Sequence, residues 1–279
     1  MTAWRQMRAV ARLDFAEVLR SRWLAMSAVV YVVLAGVFVA VGQREAPLLG
    51  FTGSDRVLFS LGHALILLLP LIALTATAPA IGRARDDGSL EFLFSQPLGR
   101  GAYFTAVTLV RVAAIIAPVV VLFVAVGLWG LVAHGQAVPW AYLGRTIAVL
   151  AALAWAFAGL GLLVSTTVRH PVRMLAYVVL IWAGAVALLD AGLIGVMLRW
   201  RLDARFVFAL ASINPVEDAR LALLSGVDHD LSTLGPVGFY LASHLGDRAL
   251  HALGLVVPAA WGTFAWLAAL LHFRRADIA

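Results

Sequence analysis

Long apolar runs separated by short polar stretches make up most of this chain. A helix needs about 20 apolar residues to cross the ~30 Å hydrocarbon core of a bilayer. Runs of that length lie near Trp23–Gly42, Val57–Ile81, Phe104–Val132, Thr146–Val168, Met174–Leu198 and Leu253–Phe273. Prolines inside these runs are expected to kink the helices, because neighbouring helices can satisfy the carbonyls that a proline frees. The pattern predicts an all-α integral membrane protein with six transmembrane helices in a single domain, 1–279.

Residues 1–22, which precede the first run, show an amphipathic pattern. Helical spacing places an apolar stripe beside a group of arginines, the stripe being Trp4, Met7, Ala11, Phe15 and Val18 and the arginines Arg5, Arg8 and Arg12. Such a helix lies in the headgroup region, with its arginines on anionic lipid. We therefore predict a cytoplasmic interfacial helix, either a plain anchor or a lever that acts against a partner.

Residues 82–103, which we call the charged loop, carry a dense group of charges between the second and third runs. A short helix is predicted at Ser89–Ser95, because Pro97 bars its continuation and Gly99 permits a tight turn. Its apolar surface would consist of Leu90, Phe92, Leu93 and Phe94. An ordinary solvated loop is the alternative, but such loops rarely expose an apolar surface without a partner to cover it. The charged loop is therefore predicted to dock a protein outside the membrane.

The segment 199–252, between the fifth and sixth runs, is too long for a simple connection. Asn214 is a suitable N-cap, Pro215 fits the first helical position, and Glu217 completes a capping box before a helix that stops at Gly226. The stretch 239–250 is predicted to be partly helical. We expect a small extracytoplasmic helical subdomain, either a cap on the outer mouth or a platform for an external partner.

Composition supports the membrane assignment and excludes several kinds of function. Hydrophobic residues make up 63% of the chain and charged residues 13%, whereas soluble domains are about half apolar and a quarter charged. The chain contains no cysteine, which excludes disulfides and thiolate metal sites. All 21 basic residues are arginine, so a P-loop with its phosphate-binding lysine is excluded. Any nucleotide hydrolysis must therefore take place on a partner.

The distribution of arginines predicts the orientation in the membrane. Twelve arginines lie in the N-terminal segment, the charged loop, the fourth–fifth loop and the C-terminal tail, against three in the short loops of the opposite side. Both termini are therefore expected to be cytoplasmic. The first apolar run starts late and is long enough to span, so we do not expect a cleaved signal peptide.

Few chemistry-bearing groups stand out within the membrane. The intramembrane polar candidates are His63, Arg111 and Asp190, any of which could touch cargo; Arg111 could instead snorkel to the cytoplasmic surface. The histidines and methionines show no metal-ligand spacing, so no metal site is predicted. No catalytic grouping and no basic face for nucleic acid are recognisable.

The order of these elements resembles the ABC-2 type permeases of ATP-binding-cassette transporters. More specifically, the chain is similar to the permeases of nitrous-oxide-reductase maturation systems. The motifs that carry this resemblance are Arg20-Ser21-Arg22-Trp23-Leu24, Gly50-Phe51-Thr52, Pro70-Leu71-Ile72-Ala73-Leu74, Asp87-Gly88-Ser89-Leu90, Pro97-Leu98-Gly99-Arg100, Asp190, Asn214-Pro215 with Asp218, Arg220-Leu221 and Leu224-Ser225-Gly226.

The resemblance implies a homodimer in the bacterial inner membrane, contacting lipid and carrying two cytoplasmic ATPases of NosF type. ATP and Mg²⁺ would bind the ATPases, and this chain would hold no cofactor and have no enzymatic activity of its own. A periplasmic β-helical protein of NosD type would contact the outer segment. The implied function is to couple ATP hydrolysis to transport or mechanotransmission, in support of the copper–sulfur site of nitrous oxide reductase.

Two sets of contact residues follow from the patterns and the resemblance together. The ATPase-coupling set is Arg85, Asp86, Asp87, Gly88, Leu90, Glu91, Leu93, Phe94, Pro97, Leu98 and Arg100. The periplasmic set is Asn214, Pro215, Asp218, Arg220, Leu221 and Leu224. The alternative function is an ABC-2 exporter of a drug, a lipid or another small molecule. A secondary transporter is disfavoured because the spans lack polar groups near the bilayer midplane, and a membrane enzyme is disfavoured further.

Overall fold

The computed structural model describes residues 3–42, 53–188, 212–226 and 246–275. The described residues are largely helical. The helices are α1 (Ala3–Leu19), α2 (Arg22–Gly42), α3 (Gly53–Thr77), α4 (Pro79–Asp86), α5 (Ser89–Phe94), α6 (Arg100–His134), α7 (Trp140–Thr167), α8 (Pro171–Ala183), α9 (Pro215–Ser225) and α10 (Gly246–Arg275). A π-helical segment, Gly184–Leu188, continues α8.

Five helical segments among the described residues are long and apolar enough to cross a membrane. They are Arg22–Val41, Arg56–Asp86, Arg100–His134, Trp140–Thr167 and Gly246–Arg275, and each contains most or all of a predicted span. The predicted fifth span, Met174–Leu198, is described only as α8 and the π-helical segment, since its residues from 189 onward lie outside the described residues. The prediction of an all-α membrane protein is confirmed, whereas the count of six spans is not.

The core of the bundle is built around α3 and α7. Large side chains of these helices and of α6 meet in one apolar cluster that includes Leu58, Leu65, Phe123, Leu153 and Phe157, all fully buried. Helix α10 runs along α7, and the two backbones approach closely because Gly159 faces Gly262 and neither has a side chain to separate them. Dispersion contacts between closely approaching helices supply the attraction that apolar burial cannot supply in lipid.

Helix α2 contributes less to this core and leaves most of its apolar side chains exposed. Met26, Val29, Val32 and Val33 are examples, each more than half exposed. Exposed apolar residues on a helix of spanning length are expected to face lipid acyl chains, so this exposure agrees with the membrane assignment.

Helices α3 and α4 are nearly continuous with each other, although Pro79 lies at their junction. Ala78 keeps helical backbone angles, and its N–H bonds to the carbonyl oxygen of Leu74 at 2.8 Å. Pro79 takes the first position of α4, where its missing N–H is tolerated best. The backbone N–H of Ile81 then bonds to Ser165 Oγ of α7 at 2.9 Å. The second span therefore leads directly into the charged loop.

The predicted outer subdomain, 199–252, is not confirmed. Residues 199–211 and 227–245 lie outside the described residues, and residues 246–252 belong to α10. Helix α9 has the predicted bounds, with Asn214 as its N-cap, Pro215 first and Gly226 at its C-cap. It packs into the bundle against α10, α3 and α7, because Gly254 admits Ala222 and Gly62 faces Leu223. This part of the segment is therefore an element of the bundle interior.

Candidate functional site

One end of the bundle, which we call the charged end, gathers α1, α4, α5, the start of α6 and the end of α10. Its central polar contact is made by Arg111 of α6, which is 3% exposed. The guanidinium donates to the carbonyl oxygen of Ala76 at 2.9 Å and to Asp14 Oδ1 at 3.0 Å. Glu17 Oε1 lies 3.6 Å from Arg111 Nη2. Arg111 does not snorkel to the surface; it joins α1 to the end of α3.

The face of α1 that packs on the bundle differs from the predicted stripe. Val10, Asp14 and Val18 are buried, and Met7 and Ala11 are half-buried beside them. Trp4 and Phe15, which were assigned to the same stripe, are 67% and 51% exposed. They lie on the flank that also carries Arg8 and Arg12, as expected of a flank that meets lipid headgroups.

Asp14 and Glu17 are site residues that sequence reasoning missed. Burial raises the pKa of the Asp14 carboxyl above its ordinary value, although the neighbouring Arg111 guanidinium acts to lower it. Burying a charged group without a partner costs on the order of several kcal/mol per ion, so the Asp14 carboxylate depends on Arg111. The available signal was an acidic residue spaced four positions from Val10 and from Val18, together with a lone arginine inside the third span.

The charged loop turns at a glycine and is fastened to α1 and α10 near its C-terminal end. Gly88 adopts the left-handed conformation, with φ of 67°, and turns the chain from α4 into α5. Such a backbone favours glycine because a side chain would be strained there. Gln6 of α1 donates its Nε2 to the carbonyl oxygen of Pro97. Arg100 donates to the carbonyl oxygen of Arg274, at the end of α10, at 2.9 Å.

An aromatic cluster beneath α5 completes the attachment. The ring of Phe94 lies 5.6 Å from Tyr103 and 6.2 Å from Phe273, and Phe273 lies 5.4 Å from Phe104. Leu90 is buried among these side chains. Aromatic pairs at such distances stabilise their contact beyond simple area burial. A displacement of α5 would therefore push directly on the start of α6 and the end of α10.

The outward surface of the charged loop differs in composition from the predicted one. Within the predicted set, Leu90 is interior, and Leu93 and Phe94 are half-buried against the chain itself. Arg85, Leu98 and Arg100 are also half-buried, whereas Asp86, Asp87, Gly88, Glu91 and Pro97 are exposed. The outward apolar side chain is Phe92, which is 68% exposed and was absent from the set. The ATPase contact stays a prediction, with Phe92 replacing Leu90.

The periplasmic set lies largely inside the bundle. Asn214 Oδ1 accepts from the N–H of Val216 at 3.0 Å, and its Nδ2 donates to the carbonyl oxygen of Ala185 in the π-helical segment at 2.7 Å. Pro215, Asp218 and Leu221 are buried as well. Only two members of the set are half-exposed, namely Arg220 and Leu224. Contact with an external protein stays a prediction, and these two are the members that can make it.

Of the remaining intramembrane candidates, the structure describes His63, and it is not brought together with Arg111. His63 Nδ1 lies 3.1 Å from the carbonyl oxygen of Phe59, one turn earlier in α3, and its ring packs on that residue's ring. Asp190 lies outside the described residues. Among the described residues, no group of three or more histidines and carboxylates could hold a metal ion.

An ion pair that the sequence did not reveal links α7 to α10 at the end of the bundle opposite the charged end. Arg145 contacts Asp247 through two hydrogen bonds of 2.8 and 2.5 Å, and each side chain is about one-third exposed, at 33% and 28%. The sequence placed Arg145 in a short outer loop and Asp247 in the outer segment. Their pairing depends on the early start of α10 at Gly246.

Comparison with known proteins assigns this architecture to a class. The model of the ABC-2 family of transporter proteins matches residues 8–198, and the chain belongs to this family. It is 26% identical over 232 residues to the probable ABC transporter permease protein NosY of Stutzerimonas stutzeri, which covers 81% of this chain and 84% of that protein. It is 27% identical over 224 residues to the protein of the same name from Pseudomonas aeruginosa, with 78% and 82% covered.

Proposed function

We propose that this chain is the transmembrane permease subunit of an ABC transporter whose ATP is hydrolysed on a separate cytoplasmic ATPase. The observation that carries the proposal is the construction of the charged loop. Its α5 is bound from beneath to α6 and α10, while Phe92, Glu91, Asp86 and Asp87 face outward. A segment that is exposed on one side and attached to spanning helices on the other is suited to receive force.

The transmission of that force follows from the rigid connections of the charged end. Helix α4 continues α3 through Ala78, and α5 presses on the aromatic cluster at Phe94. Because packed helices switch between discrete arrangements rather than deforming continuously, an ATPase-driven displacement would repack the spans. The work delivered is transport or mechanotransmission across the inner membrane, with both termini cytoplasmic.

The proposed assembly is a homodimer of this chain with two ATPases of NosF type, which bind ATP and Mg²⁺, and a periplasmic protein of NosD type. The similarity to two NosY permeases supports this assembly. The proposed biological role is maturation of the copper–sulfur site of nitrous oxide reductase. A strain lacking this chain should then make the reductase without that site; a fully loaded reductase in such a strain would contradict the role.

The coupling role is tested on the outward face of α5. We expect Phe92→Ser and Glu91→Arg to weaken co-purification with the ATPase by roughly tenfold or more, as truncation of exposed interface anchors does. Val132→Ser is the matched control, since Val132 is 85% exposed and lies near the C-terminal end of α6, whereas the charged loop adjoins the N-terminal end of that helix. Unchanged ATPase binding and unchanged ATP hydrolysis in both loop variants would contradict the proposal.

A further inference from the structure

A groove of about 520 Å³ runs between α1 and the charged loop. One wall belongs to α1, with Leu13, Asp14 and Glu17, and the other to the charged loop, with Asp87, Ser89 and Phe92. Leu13 and Phe92 are 63% and 68% exposed, so the apolar rim has no cover among the described residues of this chain.

The groove carries more negative than positive charge. Three carboxylates, Asp14, Glu17 and Asp87, line it, against Arg83 in the lining and Arg111, which pairs with Asp14. Asp14 is 8% exposed, and its Oδ1 is paired with Arg111. Its Oδ2 is buried and has no hydrogen-bond partner within the part of the chain that the structure describes. Glu17 and Asp87 are exposed, and their carboxylates are the acceptors that the groove presents to a cationic donor.

The two flanks of α1 differ in a way that identifies the side from which the groove is filled. The flank with Trp4, Phe15 and Arg8 has the composition of a lipid-facing surface. The opposite flank, with Leu13 and Glu17, faces the charged loop. Carboxylates at this position repel anionic lipid headgroups, whereas they attract a basic side chain of a protein.

We propose that this groove receives an arginine or lysine side chain from the ATPase subunit that docks on the charged loop, with Leu13 and Phe92 packing around its aliphatic stem. The inference rests on the proposed function, because it requires an ATPase at the charged end. It adds that α1 and the charged loop form one receptor, so that the ATPase grips both elements in a single contact. Long basic side chains commonly bury their methylene groups on apolar surface while their charge is paired.

The first experiment measures, in the purified complex, how the affinity for the ATPase depends on the negative charge of the groove. Glu17→Gln combined with Asp87→Asn should raise the Kd for the ATPase roughly tenfold and flatten its dependence on salt. Ala9→Arg combined with Ala133→Arg is the control for net charge, because this pair adds the same two positive charges at exposed residues outside the groove lining. Thermal unfolding of the double variant in detergent, close to that of the parent chain, would confirm that the fold is intact. A double variant that binds like the parent would overturn the proposal.

The second experiment identifies the occupant. Because the chain has no cysteine, Ser89→Cys provides a single labelling position on the groove wall. A benzophenone maleimide on that cysteine should cross-link, in the purified complex, to an ATPase peptide that contains the basic residue. Reversing that residue to glutamate together with Asp87→Arg should restore binding. Cross-links only to lipid or to a second copy of this chain would overturn the proposal.

Binding of the ATPase to the parent chain distinguishes a failure of the proposed function from a failure of the groove assignment. If the parent chain binds no ATPase, the proposed function itself is wrong. If the parent chain binds and both experiments on the groove give the parent's result, the groove assignment alone is wrong.

Discussion

The charged end and the opposite end of the bundle are built by different means. At the charged end, the short helices α1, α4 and α5 are held by an aromatic cluster and by a few polar contacts centred on Arg111. At the opposite end, α9 lies between α10, α3 and α7 and is held by close contact at glycines. The first arrangement leaves charged and apolar groups exposed; the second places most side chains in the interior.

The contrast indicates where a partner can act on the described part of the molecule. Binding energy comes from groups that a partner can desolvate, such as Phe92 and the carboxylates of the groove. Helix α9 offers few such groups, because Asn214, Asp218 and Leu221 already contact the chain's own helices. The charged end is therefore suited to receive force, and α9 is suited to carry it within the bundle.

Substitution of Arg111, which anchors the charged end, is expected to lower the stability of the protein most. Arg111→Gln leaves Asp14 buried without its counter-charge, which costs about 3–5 kcal/mol. Detergent-solubilised protein should then unfold at a markedly lower Tm, and α1 should become accessible to protease. Arg111→Lys should fall between, since lysine keeps the charge but not the two-directional donor geometry. Arg12→Gln is the control, because Arg12 is exposed on α1. A Tm that shifts equally in both glutamine variants would refute the anchor.

The second-largest effect on stability is expected from a side chain added at Gly254, where α10 closely approaches α9 at the opposite end. A Cβ at position 254 would meet Ala222 Cβ and lie 2.8 Å from the carbonyl oxygen of Asp218. Gly254→Leu should destabilise the protein by about 1–3 kcal/mol or more, as overpacking does, while ATPase binding at the charged end persists. Gly36→Leu is the matched control, because a Cβ at position 36 would have no neighbouring side chain within 4 Å in the part of the chain that the structure describes. Equal tolerance of the two substitutions would show that α9 is loosely held.

Removal of the Asn214 side chain tests the link between α9 and the π-helical segment. Asn214→Ala loses an N-cap and a buried hydrogen bond, each worth about 1 kcal/mol. Asn214→Ser keeps a capping oxygen but not the amide donor, so its loss should be about half as large. Chemical unfolding of both variants measures the split. Identical values for alanine and serine would mean that the cap contributes nothing.

The smallest effect is expected at the Arg145–Asp247 ion pair. Both side chains are about one-third exposed, at 33% and 28%, and partly solvated pairs contribute about 0.2–1 kcal/mol. A double-mutant cycle with Arg145→Gln and Asp247→Asn should therefore give a coupling energy in that range, and smaller at high salt. A coupling as large as that of Arg111 with Asp14 would remove the distinction drawn between the two ends.

Local signals in the sequence predicted several elements closely. Pro97 and the surrounding charges placed the short helix at Ser89–Ser95, and the structure has it at Ser89–Phe94. Asn214, Pro215 and Gly226 placed the ends of α9. These predictions succeed because capping and proline geometry depend on residues within one turn of the helix end.

The orientation of individual side chains was less predictable. Phe92 and Leu90 are two residues apart in an apolar group, and only the position of the aromatic cluster decides which of them faces outward. The stripe assigned to α1 was wrong in part for the same reason. Two apolar flanks were available, and lipid can cover one while protein covers the other.

The order of residues alone is enough to predict a helical membrane protein without a P-loop and to place most of its spans and helix ends. Those properties depend on apolar length, on caps and on the absence of lysine, all of which are local. Tertiary structure alone decided that Arg111 reaches Asp14, 97 residues away, and that α9 lies in the interior. The sequence marks Asp14 and Arg111 as unusual residues but does not pair them, because both arrangements depend on which helices pack together, and packing is settled by the fit of whole surfaces.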